Sequence, residues 1–478
     1  MSLRKKTVSS VKWASFAQFG RQGMSYITTA ILAHLLAPSD YGLIGMAIVV
    51  IGFIELFKDL GTSAAIVQKK NVNNELLSSI FWANTLFCFG VLLIIYIVSP
   101  FISKFYKEPR LTEILRFLSL SFLFSGLSVT QNALLQKNLS FNFLAKVDLF
   151  AFTTGCFAGI YLAFKGAGVW SLVSQTLITS CVTALLLWRV SKWRPNFFFS
   201  WSQIKEVSSY SLYLTGYNIF NYFSRNMDYI LIGRCLGAQD LGYYTLAYQL
   251  MLYPLQSVTS VISRVLFPVF SIIQNNNKQF GEVYLKICTA ISMITFPMMA
   301  GLFCVSDTLI PLVLGDKWEP VVLLLMILAP VGMGQSIGAT VGTIYQSKGR
   351  TDLMLLWGII SGVLVICSFF IGLKWGVNGV AFAYSISVYL MAYPNFAIPF
   401  RLINLKFHLL LTMIYKPFLC SIIMVATLII VKRSISDIFS NIIQLVVLVP
   451  LGIFIYGGTM LLIDKKTVFE MTTFFKNK

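Results

Sequence analysis

Long apolar runs separated by short polar loops dominate the sequence from one end to the other. About fourteen of these runs reach the roughly 20 residues that a helix needs to cross the hydrocarbon core of a bilayer. They lie near 11–36, 41–61, 78–103, 111–135, 141–164, 168–190, 209–236, 241–264, 282–306, 319–345, 352–374, 377–400, 410–431 and 438–462. The pattern predicts an all-α polytopic membrane protein with about 14 transmembrane helices.

Composition agrees with this class, because 57% of the residues are hydrophobic and only 12% are charged. The net charge of +19 would suggest a nucleic-acid partner in a soluble protein. In a membrane protein the basic residues instead concentrate in cytoplasmic loops. With both termini placed in the cytoplasm, most of the 37 lysines and arginines fall on that side. Those on the opposite side include a basic group formed by Lys104, Lys107 and Arg110, which departs from this rule. We expect no nucleic acid and two cytoplasmic termini.

The chain repeats itself at a fixed offset. Residues 31–47 read ILAHLLAPSDYGLIGMA and residues 231–247 read LIGRCLGAQDLGYYTLA. The matched pairs are Leu36/Leu236, Asp40/Asp240, Gly42/Gly242 and Ala47/Ala247. An even number of spans precedes the second copy, so the two copies have the same orientation, as in transporters with parallel repeats. This predicts an N-lobe of six helices at 1–200, a C-lobe of six at 201–402, a central cleft, and an accessory helix pair with a cytoplasmic tail at 403–478.

Both repeats open with a span that carries a polar stripe. The second stripe consists of Asn218, Asn221, Tyr222, Arg225 and Asp228. The first consists of Gln18, Arg21, Gln22 and Ser25. Spacings of three, four and seven residues put each set on one helix face. A charge inside a spanning helix costs about 2.5–3.5 kcal/mol on insertion scales, so we expect both faces to line a wet cavity.

Two arginines on these stripes predict an anion site. A guanidinium is permanently charged and binds phosphate oxygens with two parallel hydrogen bonds. We therefore assign Arg21 and Arg225 to an anion, such as a phosphate group. Amide and hydroxyl groups suited to phosphate or sugar come from Gln18, Gln22, Asn218, Asn221 and Tyr222. The structural alternative is an ion pair between Arg225 and Asp228 on the same helix.

Three of the acids within predicted spans are candidates for binding a proton or Na⁺: Asp228, Asp148 and Glu55. For Glu55 the alternative is a structural pair with Lys58. The eight cysteines are scattered and there are only two histidines, so we expect no metal site. Walker A and HExxH motifs do not occur in the sequence, so we expect a protein that is not an enzyme and needs no cofactor beyond an ion gradient.

Two segments resemble a known family. They contain the signatures APSDYGL at 37–43 and RNMDYILIGR at 225–234. Both are similar to the Wzx-type polysaccharide and O-antigen flippases, in the colanic acid exporter-like branch of the multidrug/oligosaccharidyl-lipid/polysaccharide exporter superfamily. The resemblance extends over nearly the whole chain.

This resemblance implies a protein of the bacterial inner membrane. It implies export of an undecaprenyl-diphosphate-linked oligosaccharide from the cytoplasmic to the periplasmic leaflet by alternating access, driven by a proton or Na⁺ gradient. The resemblance also implies that the diphosphate binds Arg21 and Arg225. Partners would be the lipid-linked glycan, the bilayer, and a polysaccharide polymerase with its chain-length machinery. The alternatives are a multidrug/cation antiporter of the same superfamily and a lipid II flippase. An intramembrane glycosyltransferase or polymerase would need catalytic acids on a large external loop, which the pattern does not contain.

Overall fold

The computed structural model describes residues 3–57, 63, 66–67, 72–201, 212–435 and 438–476. Within these ranges the chain is helical and forms no strand. The prediction of an all-α protein is therefore confirmed.

In the first half of the chain the described residues form eight α-helices. Their bounds are α1 Leu3–Leu35, α2 Pro38–Glu55, α3 Asn74–Tyr106, α4 Arg110–Gly126, α5 Val129–Lys137, α6 Phe141–Phe164, α7 Trp170–Val190 and α8 Leu212–Cys235. The described residues of the second half form nine more. Their bounds are α9 Ala238–Ile272, α10 Asn277–Leu314, α11 Pro320–Gly338, α12 Val341–Ser347, α13 Thr351–Gly372, α14 Gly376–Leu390, α15 Ala392–Leu402, α16 Phe407–Ile435 and α17 Asn441–Lys476.

Nine helical stretches in the described part of the chain are long and apolar enough to cross a membrane, and a tenth is the bent pair α4–α5. Multi-pass insertion is thus confirmed, whereas the count of fourteen stays a prediction. The difference has identifiable sources. The stretch 351–402 counts once but covers two predicted spans, and α1, α8 and α9 are not among the nine. The polar stripes of α1 and α8 lower the apolarity of these two helices.

Backbone contacts divide the chain into two compact units, Met1–Gly242 and Tyr243–Lys478. In the first unit α6 packs between α1 and α7, α3 packs on α4, and α8 packs on α2. The lobe boundaries predicted at 200/201 and 402/403 stay predictions. In the second unit α10 is the central helix and packs on α11, α16 and α17.

The repeated turn has the same geometry in both copies. Helix α1 ends at Leu35 and α2 begins at Pro38, whereas α8 ends at Cys235 and α9 begins at Ala238. The N–H of Leu36 donates to the Leu32 carbonyl at 2.8 Å, and the N–H of Leu236 donates to the Ile232 carbonyl at the same distance. The sequence offset is therefore reproduced in the helix boundaries.

The matched glycines of the two turns lie where the first turns of α2 and α9 touch. A Cβ at Gly42 would lie 1.7 Å from the Ala238 carbonyl oxygen, and one at Gly242 would lie 1.8 Å from the Pro38 carbonyl oxygen. Neither position has room for a side chain, because the obstacle is backbone. The glycines thus permit a reciprocal backbone contact between the two copies of the repeat.

Helices α16 and α17 are attached to α10 by polar contacts within the second unit. Lys432 pairs with Asp307, and its ammonium donates to the Cys304 carbonyl at 2.9 Å. The hydroxyl of Tyr456 donates to the Met293 carbonyl at 2.9 Å. These contacts fix the pair to the unit beyond apolar packing alone.

Candidate functional site

Arg21 lies on α1 and faces α6. Its guanidinium carbon is 5.2 Å from the centroid of the Phe152 ring, and its side chain is otherwise exposed. The face of an aromatic ring attracts a cation, and a guanidinium stacked in this way keeps its N–H groups available at its edge. The ring therefore holds the arginine in place while leaving it able to bind an anion.

Asp148 lies four residues before Phe152 on the same helix, and its charge interacts with that of Arg21. No ion pair within 4.0 Å joins Arg21 to an acid in the described ranges. The structure thus brings together two candidates that the sequence placed on separate spans. The carboxylate is near enough to influence the guanidinium electrostatically without being bound to it.

The remaining residues of the first stripe continue along α1. Gln18 is half-buried, Gln22 is 9% exposed, and Ser25 is half-buried. Further along the helix Thr28 is buried near Cys156 of α6, whose sulfur accepts a hydrogen bond from Gln175 of α7 at 3.5 Å. Polar groups therefore extend from the Arg21 level across α1, α6 and α7.

The second stripe lies on α8, which packs on α2. The Tyr222 hydroxyl donates to the Val49 carbonyl at 2.8 Å, and a Cβ at Gly52 would lie 2.5 Å from that hydroxyl. This hydroxyl therefore contributes to helix packing in this structure. Asn221 is half-buried, and the side chain of Asn218 lies outside the described residues. Binding of substrate by these three residues stays a prediction.

Arg225 and Asp228 differ sharply in exposure. Arg225 is exposed, whereas Asp228 is 3% exposed and its Oδ1 accepts the Tyr229 N–H at 2.9 Å. Among the described residues no ion pair joins the two side chains. The structural alternative for Arg225, an intrahelical pair, is therefore not realised here, and the guanidinium stays accessible.

Glu55 is exposed at the end of α2 and lies close to Tyr222. Its suggested partner Lys58 lies outside the described residues. In the described part of the chain no three His, Cys, Asp or Glu side chains group closely enough to hold a metal ion.

Sequence reasoning missed two features. It did not identify Phe152, although the i, i+4 spacing from Asp148 was a signal that both share one helix face. It also missed a set of amide and phenol side chains in the second unit around Gln335, because the members come from helices far apart in the chain.

Comparison with known proteins identifies the family. The profile described as "Polysaccharide biosynthesis protein" matches residues 31–323. The lipopolysaccharide biosynthesis protein WzxC of Escherichia coli is 29% identical over 78% of this chain and 76% of its own length. The teichuronic acid biosynthesis protein TuaB of Bacillus subtilis is 30% identical over 76% of each chain.

Among solved structures the lipid II flippase MurJ in an inward closed conformation has the same fold. The TM-score is 0.76 at 17% sequence identity, covering 96% of this chain and 100% of the other. The chain thus has the fold of that flippase. Because the profile covers more than half of the chain and TuaB reaches 30% identity over three quarters of it, this protein belongs to the polysaccharide biosynthesis protein family.

Proposed function

We propose that this protein is a flippase, not an enzyme, and moves a polyprenyl-diphosphate-linked oligosaccharide from the cytoplasmic to the periplasmic leaflet of a bacterial inner membrane. Membership of a polysaccharide biosynthesis family and the MurJ fold support transport of a lipid-linked glycan. Alternating access of the two repeats would carry the polar head across while the polyprenyl tail stays in lipid.

The observation that carries the proposal is the accessible Arg21 guanidinium stacked on Phe152. A diphosphate offers several oxygens to the arginine fork, and charge-assisted hydrogen bonds of this kind contribute about 1.5–3 kcal/mol each. Gln18 and Gln22 on the same helix face supply further donors and acceptors. In this proposal Arg225 forms a second anion site on α8.

Energy would come from an ion gradient, with Asp148 as the coupling acid. Its charge lies close enough to that of Arg21 for the two to influence each other. A bound diphosphate and an ionised Asp148 repel each other, so substrate binding favours the protonated acid. Both termini would be cytoplasmic, and a polymerase with its chain-length machinery would use the exported unit.

The test is replacement of Arg21. In a strain deleted for this gene, R21A should abolish polymer export and R21K should restore only part of it, because lysine lacks the two-pronged fork. In proteoliposomes the same variants should lower the flipping rate of the lipid-linked glycan in that order. Surface polymer and flipped lipid are the quantities to measure.

Arg116 provides a matched control. Its guanidinium carbon also stacks on an aromatic ring, 4.3 Å from the centroid of Tyr96, but it lies outside both stripes. R116A should reach the membrane and export polymer at the wild-type level. Wild-type export by a membrane-inserted R21A protein would refute the proposal.

The MurJ fold specifically favours a second candidate, a lipid II flippase. Peptidoglycan synthesis is indispensable, so a cell depleted of its lipid II flippase should lyse. Depletion of this protein should instead leave growth intact and remove one polysaccharide. Lysis on depletion would select the second candidate.

A further inference from the structure

Three half-buried polar side chains from three helices meet inside the second unit. The Gln335 amide on α11 donates to the Tyr384 hydroxyl on α14 at 2.7 Å and to the Tyr248 hydroxyl on α9 at 3.3 Å. Polar groups are costly within a membrane-spanning unit unless they are paired or face an aqueous space. A meeting of this kind therefore needs an explanation in terms of either packing or a ligand.

Hydrogen bonds among the described residues do not use every polar atom of Gln335 and Asn395. Gln335 makes both of its hydrogen bonds through Nε2, so its Oε1 accepts none from the described residues. Asn395 on α15 accepts the Trp357 N–H through Oδ1 at 3.1 Å, and its Nδ2 donates to no described group. One acceptor and one donor are thus left for a molecule that is not part of this unit.

Glycines leave room beside these two amides. A Cβ at Gly334 would meet only Val388, at 3.8 Å, and one at Gly338 would meet only the Asn395 Nδ2, at 3.7 Å. The two glycines are four residues apart on α11, so they share a helix face, and Gln335 lies beside them. A small molecule can approach the helix backbone at this face without displacing a side chain.

Aromatic rings hold the phenols in place. Tyr248 stacks on the buried Tyr244 with ring centroids 5.9 Å apart, and the Tyr384 ring is 5.7 Å from that of Phe369. Ring packing of this kind restricts both hydroxyls to one position. The cluster is therefore preorganised, which reduces the entropy lost on binding.

We infer that Tyr248, Gln335, Tyr384 and Asn395 form a polyol cluster that binds sugar hydroxyl groups of the transported glycan. Amides and phenols both donate and accept, which matches the donor and acceptor character of each sugar hydroxyl. The cluster contains no charged side chain, so it selects a neutral polyol over a phosphate. This inference rests on the proposed function and assigns the glycan to the second unit, separately from the diphosphate at Arg21.

The experiment measures binding of two lipids to the full-length protein in nanodiscs. One is undecaprenyl diphosphate without sugar, and the other is the lipid-linked glycan extracted from a strain deleted for this gene. Wild-type protein should bind the glycan-bearing lipid about tenfold more tightly, because several hydrogen bonds are added. Q335A and N395A should remove most of this preference and leave the affinity for undecaprenyl diphosphate unchanged.

Two further variants separate binding from folding. G338A adds a methyl group at ordinary contact distance, so it should fold normally and still lower the affinity for the glycan-bearing lipid by filling the open face. Q444A, which removes a glutamine that donates to the Phe439 carbonyl, should leave both affinities unchanged. An undiminished preference in Q335A and G338A would overturn the polyol cluster.

If the proposed function is wrong, the lipid-binding affinities of the variants should differ from these expectations in another way. R21A should weaken binding of both lipids equally, since both carry the diphosphate. If the wild-type protein bound neither lipid, or R21A bound both as tightly as wild type, the proposed function would fail, and the polyol cluster would fail with it as a glycan site. Loss of sugar preference only in Q335A, N395A and G338A supports both.

Discussion

At the scale of single residues, the proposed anion site depends on the Arg21 guanidinium, which is held against the Phe152 ring. Arg21 stands out because arginine is costly in a spanning helix. Its neighbours could not be read from the chain, since Phe152 and Asp148 lie more than a hundred residues away and face it only after α1 packs on α6. The same limit applies to Asp228, whose burial depends on packing around α8.

Replacing Asp148 should strengthen lipid binding but slow transport. D148N removes a negative charge near Arg21, so undecaprenyl diphosphate should bind about two- to tenfold more tightly, in line with a Coulomb term of roughly 1 kcal/mol in a wet site. The flipping rate driven by a pH gradient should fall about tenfold or more, because the asparagine cannot take up a proton. Lipid binding in nanodiscs and flipping in proteoliposomes measure the two effects.

The control for this carboxylate is Asp352, which forms an exposed ion pair with Arg350 at 2.8 Å. D352N should change neither quantity, since exposed ion pairs contribute little to stability. A D148N protein that responds to the pH gradient as wild type does would exclude Asp148 as the coupling acid and direct attention to Glu55 and Asp228.

At the scale of helices, the repeat was the most informative sequence feature. It predicted that the α1–α2 and α8–α9 turns would correspond, and their boundaries do so residue for residue. The sequence did not predict the reciprocal contact between Gly42 and Gly242. Glycine is common in short turns for conformational reasons, so its presence in a turn does not indicate that another helix approaches closely. The bend between α4 and α5 was likewise hidden inside one apolar run.

The glycine contact predicts that G42A destabilises the protein. Its methyl group would overlap the Ala238 carbonyl, and forcing such groups apart typically costs about 1–3 kcal/mol or more. The melting temperature in detergent should fall by several degrees, and polymer export should fall with it. The measurement is thermal unfolding followed by size-exclusion chromatography of the membrane-extracted protein.

Gly90 is the matched control for this substitution. It lies within α3, and a Cβ there would meet nothing within 4 Å. G90A should therefore keep or slightly raise the melting temperature, because alanine is the better helix former by about 1 kcal/mol. Equal melting temperatures for G42A and G90A would show that α2 and α9 do not approach as closely as described.

At the scale of the whole molecule, the all-helical fold and the family were predictable because they depend on properties spread over the entire chain. Apolar runs of spanning length identify a membrane protein, and two long signatures identify the family. The polyol cluster was not predictable, since glutamine and tyrosine on α9, α11 and α14 have no significance until those helices pack together. Three-dimensional proximity, rather than spacing along the chain, defines it.

The orientation of the protein in the membrane is predicted from its basic residues, but one basic loop disagrees with the rest. Most lysines and arginines fall on the predicted cytoplasmic side, whereas Lys104, Lys107 and Arg110 fall outside, between α3 and α4. The proposed export direction requires this loop to be periplasmic.

Alkaline phosphatase fused after Lys107 should therefore be active, and a fluorescent protein fused after Lys478 should fluoresce, because the two reporters work only in the periplasm and the cytoplasm respectively. Alkaline phosphatase fused after Lys192, in the predicted cytoplasmic loop that follows α7, is the control and should be inactive. An inactive Lys107 fusion would place the basic loop in the cytoplasm, as the positive-inside rule favours locally, and would invert the α3–α4 hairpin.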